Sequence, residues 1–123
     1  MKPLGDLETL VMQTLWAHPS STVREIHGRM EGDHKRAYTT IMTTMDRLYG
    51  KDLLTREKDG LAWRYRPALT EAELELQLAD RLATEILETH GEVGLAAFVD
   101  AASADPSMLD RLEALIAARR DER

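Results

Sequence analysis

Cysteine is absent from the chain. That excludes a disulfide framework, a thiolate metal site and a cysteine nucleophile, and it fits a reducing compartment. Aromatic residues are scarce, at 5%. A core must therefore come from Leu, Ala, Val, Ile and Met. No long apolar run occurs. The longest stretch free of Asp, Glu, Lys and Arg is Thr9 to Val23. It contains His18, Pro19, Ser20 and Ser21, and it falls short of the roughly 20 apolar residues of a membrane span. The opening MKPLGDLETL carries acids where a signal peptide needs an apolar run. These absences point to a cytoplasmic protein with no membrane partner. Catalytic signatures are missing as well: no glycine-rich phosphate loop, no nucleophile motif, no H-E-x-x-H. His18, His27, His34 and His90 are scattered, and pairs such as Glu71 and Glu75 read as solvated helix faces. An enzyme, a metal site or a cofactor is not expected.

What is present is enough for a folded domain. The 123 residues are 43% hydrophobic and 31% charged, which disfavours wholesale disorder. The net charge of −6 hides an asymmetry. Residues 1–67 hold 11 Lys+Arg and 9 Asp+Glu, whereas residues 68–123 hold 5 and 13. Residues 34–66 are more polarised, with 8 basic and 4 acidic side chains. A basic stretch on an acidic protein signals a binding surface for a polyanion.

Periodicity predicts a helix over Asp6 to Ala17, with Leu7, Leu10, Val11, Thr14 and Leu15 on one face, Asp6 as cap and Pro19 as stop. Ser20 to Thr22 make a turn. Thr22-Val23-Arg24-Glu25 is a capping box, and it opens a second helix to about Glu31 with Val23, Ile26, His27 and Met30 inward. A third helix spans Arg36 to Tyr49, with Ala37, Ile41, Met45 and Leu48 as an apolar stripe. Its other face carries Thr39, Thr40, Thr43, Thr44 and Arg47. Threonine is a mediocre helix former, so a merely solvated face would more naturally carry Glu and Lys. The period then changes. Leu53 to Glu57 and Ala62 to Arg66 read as strands about the turn Lys58-Asp59-Gly60, with Pro67 closing the hairpin. From Thr70, whose Thr70-Glu71-Ala72-Glu73 is a second capping box, a helix carries Leu74, Leu78, Leu82 and Ile86 on a wide apolar face. Gly91 and Gly94 break it, and Leu95 to Ala102 form a short helix containing Phe98. Asp105-Pro106 opens the last helix, with Leu109, Leu112, Leu115 and Ile116.

Three helices and a hairpin are the parts of a winged helix-turn-helix. The fold class expected is mainly α: a winged helix-turn-helix over residues 1–68, then a helical dimerisation domain over 69–123. Short hydroxyls suit a recognition helix, because they allow close approach in a major groove about 12 Å wide and bond to base edges. Lys35, Arg36, Arg47 and Lys51 would anchor phosphates beside it. The hairpin would present Arg56, Lys58, Arg64 and Arg66 as a positive ribbon, while Trp63 and Tyr65 pack on the helices. Leu74, Leu78, Leu82, Ile86, Phe98, Leu109, Leu112 and Ile116 exceed what one small helical domain covers, so a homodimer is expected.

The sequence resembles the penicillinase-repressor (BlaI/MecI) family of bacterial transcriptional repressors. The resemblance rests on Leu4-Gly5-Asp6-Leu7-Glu8, Val11-Met12, Leu15-Trp16, Thr22-Val23-Arg24-Glu25, Ala37-Tyr38-Thr39-Thr40-Ile41-Met42-Thr43 and Arg64-Tyr65-Arg66-Pro67. Over residues 68–123 it is architectural only. It implies a repressor that binds double-stranded DNA at an inverted-repeat operator as a homodimer, with β-lactam-resistance or related genes as targets. It also implies that Tyr38, Thr39, Thr40, Thr43 and Arg47 lie on or beside the DNA-facing helix. In the best-known members a sensor-protease pathway leads to cleavage at an Asn-Phe bond. The matching position here is Ala97-Phe98, without the Asn. A branch that senses copper through a Cys-X-Cys tail is excluded by the lack of cysteine. A winged-helix module that binds protein instead of DNA is the alternative, since fold alone does not fix function.

Overall fold

The computed structural model describes residues 4–122. The chain order is α1 (Asp6–Ala17), β1 (Ser21–Thr22), α2 (Val23–Gly28), α3 (Tyr38–Gly50), β2 (Leu54–Asp59), β3 (Ala62–Pro67), α4 (Glu71–Ala102) and α5 (Pro106–Asp121). A single 3-10 turn, Gly32–His34, lies between α2 and α3. The strands form one antiparallel sheet in the order β1-β3-β2. No described helix is long and apolar enough to cross a membrane.

The chain divides into two compact units, with the break after Leu78. The first is the winged helix. Its core joins Val11, Met12 and Leu15 of α1, Val23 and Ile26 of α2, and Ile41, Met45 and Leu48 of α3 to Leu54 and Tyr65 of the sheet. Leu74, on the first turn of α4, is 5% exposed in this same core, and Leu78 packs against it. Trp16 Nε1 donates to the Leu69 carbonyl at 3.0 Å, tying α1 to the same segment. Leu74 and Leu78 therefore pack within the first unit, Leu74 too deeply to form part of the expected dimerisation face, and this unit extends ten residues past the expected boundary at residue 68. Sequence period could not separate these leucines from those further along one continuous helix.

Local chemistry explains most element ends. The Thr22 and Glu25 capping box is made in both directions, at 2.9 and 3.2 Å. That of Thr70 and Glu73 closes at 3.0 and 3.1 Å. At α1 the cap is Gly5, not Asp6; the Gly5 N–H donates to Glu8 Oε1 at 3.0 Å. Asp105 Oδ1 accepts from the Ser107 N–H at 3.0 Å, with Pro106 at the first helical position as expected. Helix α3 stops where Asp52 turns left-handed at φ 64° and the Leu53 N–H reaches the Leu48 carbonyl at 3.0 Å. This is a Schellman-type end with aspartate where glycine is usual. It turns the chain directly into β2.

Other expectations shift. Helix α2 ends at Gly28, earlier than Glu31, although Met30 is buried as expected. Helix α3 begins at Tyr38 instead of Arg36. Thr44 is buried, its hydroxyl donating to the Thr40 carbonyl at 2.8 Å, so it belongs to the packed face of α3. The turn over Ser20 to Thr22 contains β1, whose Ser21 and Thr22 pair with Tyr65 and Arg64. A two-residue strand is too short to show a period. Gly60 takes φ 64° in the two-residue connection to β3, as a tight hairpin turn requires.

The second unit comprises the rest of α4 and α5. Gly91, at φ 52° and ψ −129°, interrupts α4 as expected. A Cβ at Gly94 would lie 2.8 Å from Ile86, so that position needs a glycine for close packing. The unit buries little apolar surface. Leu82 is 54% exposed, Phe98 53% and Leu115 63%. Val93, Leu95 and Ile116 are exposed too, while Ile86, Leu109 and Leu112 are half-buried.

The carboxyls of Glu8, Glu25 and Glu73 are all held below the ordinary carboxylate range. For Glu8, burial opposes this, but the Lys51 ammonium and the Gly5 N–H outweigh it. For Glu25 the Thr22 N–H is the main cause, with Arg64 assisting, and for Glu73 it is the Thr70 N–H. A lowered native pKa stabilises fully above the unfolded value and is lost as pH falls through the native one. Thermal unfolding should therefore show stability declining as pH drops through and below the normal carboxylate range. A Glu8→Gln/Glu25→Gln/Glu73→Gln variant, which keeps capping geometry without the titration, should show a shallower acid decline. An unchanged acid slope would refute this origin.

Candidate nucleic-acid interface

Helix α3 buries Ile41, Thr44, Met45 and Leu48 and exposes Tyr38, Thr39, Thr40, Met42, Thr43, Asp46 and Arg47. Thr39, Thr43 and Asp46 fall at i, i+4 and i+7, so they run in line down the exposed face. The predicted residues Tyr38, Thr39, Thr40, Thr43 and Arg47 are all exposed; Thr39, Thr40, Thr43 and Arg47 share one side of the helix, while Tyr38 lies at the edge of the exposed arc against His27. The start of α3 is fixed by α2. His27 Nε2 lies 3.0 Å from the Arg36 carbonyl, which can only accept, so this nitrogen carries the proton. The His27 ring meets Tyr38 edge-on, centroids 5.7 Å apart. His27 is half-buried and acts as this tether, not as the inward core residue expected.

The predicted cations differ in how free they are. Lys35 and Arg47 are exposed, and neither has an ion pair among the described residues. Arg36 is exposed, but its Nη1 donates to the Asp33 and Lys35 carbonyls at 2.8 and 2.9 Å. Lys51 pairs with Glu8 at 2.7 Å. Lys58 Nζ lies 4.4 Å from the Trp63 ring centroid. Arg66 pairs with Glu57 at 3.2 Å, both side chains more than half exposed. Exposed pairs are worth about 0–1 kcal/mol, so Arg66 exchanges a carboxylate for a phosphate at little cost, whereas Lys51 would leave Glu8, whose side chain is 17% exposed, without its cation.

Arg64 is different. Its guanidinium meets Glu25 at 3.0 Å and Asp59 at 2.8 Å and donates to the Ser20 carbonyl at 3.1 Å. The bonds to Asp59 and Glu25 hold its pKa raised. It braces β3 against the start of α2 and the wing turn, so reaching a phosphate would mean giving up three internal partners.

Sequence reasoning missed a cluster at the base of the wing. Arg56, on β2, lies 3.9 Å from the Tyr49 ring centroid and 4.3 Å from that of Trp63. Its Nη1 donates to Asp46 Oδ1 at 3.1 Å and to the Tyr65 hydroxyl at 3.3 Å. The Tyr65 bond, then Asp46, keep its pKa raised against burial. Arg56 Nε is buried with no hydrogen-bond partner among the described residues. Cation–π contacts contribute about 0.5–1 kcal/mol each when exposed and about 2 when desolvated. Two close ring faces therefore outweigh the exposed Asp46 pair. Arg56 accordingly leaves the positive ribbon and becomes the link between wing and α3. Nothing in a linear pattern joins Asp46 and Tyr49 to Arg56 and Trp63; only the hairpin's docking does.

A family model described as "Penicillinase repressor" matches residues 4–118. The chain belongs to that family. It is 38% identical over 104 residues to "Transcriptional regulator BlaI" from two strains of Mycobacterium tuberculosis, covering 83% of this chain and 75% of that protein. The solution structure of the DNA-binding domain of the repressor BlaI aligns with a TM-score of 0.52 and 28% identity. That alignment covers 57% of this chain and 85% of that domain. The fold is thus a winged helix-turn-helix followed by a helical region, and the chain is a DNA-binding transcriptional repressor.

Proposed function

We propose that the chain represses transcription in the cytoplasm by binding an inverted-repeat operator as a homodimer, with α3 in the major groove and the wing on the backbone. The function is binding, not catalysis. The observation that carries this reading is the exposed line of Thr39 and Thr43 on α3, flanked by Tyr38, Thr40 and Arg47, on a helix whose opposite side is locked in the core. Lys35, Arg47, Lys51, Lys58 and Arg66 supply phosphate contacts, and Arg64 orients the wing. Dimerisation is supported by the exposed Leu82, Phe98, Leu115 and Ile116 of the second unit, which finds too few partners within one chain. The regulated genes are β-lactam-resistance or related genes, reached by a sensor-protease pathway if Ala97-Phe98 is the position cut.

Selection of bound duplexes from random DNA tests this directly. An inverted repeat should emerge, with half-site centres roughly 34–36 Å apart. Thr40→Ala and Thr43→Ala should relax base preference, each by about 1–3 kcal/mol where the hydroxyl reads a base edge. Arg47→Ala should weaken all sequences alike and lower the salt slope by about one unit. A non-palindromic single footprint, or unchanged preference in both threonine variants, would contradict the reading. Salt-insensitive association with a protein would favour the interaction-module alternative.

The unit boundary yields a second test. A fragment of residues 1–78 should fold and be monomeric, because it keeps Leu74 in the core and lacks the second unit. A fragment of residues 1–68 should be less stable, since emptying a buried leucine site costs about 2–5 kcal/mol. Both should bind the full operator more weakly than the intact chain, by about 10²–10⁴, because the second half-site is no longer bound intramolecularly. Proteolysis anywhere in the second unit, Ala97-Phe98 included, would release operator by the same arithmetic. Sedimentation and operator titration at one salt concentration decide it: a dimeric 1–78 fragment, or one that binds the palindrome as tightly as the intact chain, is the contrary result.

A further inference from the structure

We propose that Arg56 is a positioning residue for DNA recognition, locking the wing to the recognition helix through the ring faces of Tyr49 and Trp63 and the Asp46 carboxylate. The proposal rests on the reading that α3 and the wing grip DNA together. Arg56 has the composition of a phosphate contact and the surroundings of a hinge pin. Its side chain is 20% exposed. Its Nη1 is engaged by Asp46 and Tyr65, its Nε is enclosed, and its planar face lies against aromatic rings.

The partners come from both sides of the joint. Tyr49 and Asp46 belong to α3, and Trp63 and Tyr65 to β3, across from Arg56 in the hairpin. The register sets Arg56 opposite Tyr65 and Lys58 opposite Trp63. Fixing Arg56 against α3 therefore fixes Lys58, two residues further along the same strand, relative to Thr39 and Thr43. Arg56 also offsets the charge of Asp46, an acid in line with the two threonines and otherwise repelled by phosphates. A planar guanidinium that stacks and donates at once is not replaced by a lysine ammonium.

The full-length chain is titrated with the duplex recovered by selection and with a scrambled duplex of the same length, over a range of salt concentrations. Binding is measured where each variant is folded. Arg56→Met should weaken binding to the selected duplex about tenfold or more, the size of a single base interaction. The scrambled duplex should be affected less, because non-specific binding tolerates a loose wing. The salt slope should stay unchanged, and Arg56→Lys should not restore binding. A slope lower by about one unit, restored by lysine, would make Arg56 a phosphate contact and overturn the proposal. Unchanged affinity would overturn it, and so would equal weakening on both duplexes, which marks a stability effect alone. Should Arg56→Met fail to fold, Tyr49→Leu removes the helix-side ring while leaving every cation in place. It should likewise lower the preference for the selected duplex with no change of slope, and wild-type preference in that variant would overturn the proposal. Thr40→Ala and Thr43→Ala are run alongside. If they keep full base preference while Arg56→Met behaves as expected, base reading by those hydroxyls fails and the clamp stands.

Discussion

Helix α3 has to bury Ile41, Thr44, Met45 and Leu48, and this requirement dictates the face it leaves for a partner. With 3.6 residues per turn, locking those four against α1 and α2 turns Thr39, Thr43 and Asp46 outward together. A rotation of the helix would expose Met45 or Ile41 and bury hydroxyls without partners. The geometry of the exposed face is thus set by apolar packing behind it. The polar residues themselves impose no orientation. Thr44 shows the limit of this logic: it sits on the buried side only because its hydroxyl is satisfied by the Thr40 carbonyl one turn back.

The wing depends on a second constraint, the commitment of its arginines. Arg64 is held by Glu25, Asp59 and Ser20, and Arg56 by two rings and Asp46. Both sit where the hairpin meets the helices. Their charge is used to hold the hairpin, whereas Lys58 and Arg66 lie exposed along it. Counting basic residues in a linear stretch overstates what is available to DNA, because each internally paired cation brings its own anion to the surface.

The helix order, both threonine capping boxes, the hairpin and the exposed threonines were legible in the sequence, because each rests on residues a few positions apart. Period, capping and turn chemistry are local. What was not legible is what the tertiary structure assembles. Strand β1 exists only because β3 offers it an edge. Leu74 and Leu78 look identical in pattern to Leu82, yet they pack on the winged-helix core while Leu82 is exposed. His27 has the spacing of a core residue but tethers the approach to α3. Arg56 reads as one more wing cation until Tyr49 and Trp63 are seen on either side of the joint.

In a repressor that pairs as proposed, these constraints make the second unit the natural place for control. Among the described cations between residues 34 and 66, Lys51, Arg56, Arg64 and Arg66 carry ion pairs, and Arg36 is bonded to turn carbonyls. Few unpaired charges remain to neutralise phosphate, and each phosphate neutralised releases roughly one counterion's worth of binding free energy. One winged helix so equipped has few free charges with which to hold phosphate at ordinary salt. In the proposed dimer, joining two such halves multiplies affinity without any new contact to DNA. A protein that relies on that multiplication is switched off by whatever separates its halves, and the surface proposed to join them is the exposed apolar one on α4 and α5. The acidic balance of residues 68–123 adds to this, since a net negative charge there disfavours contact with a polyanion.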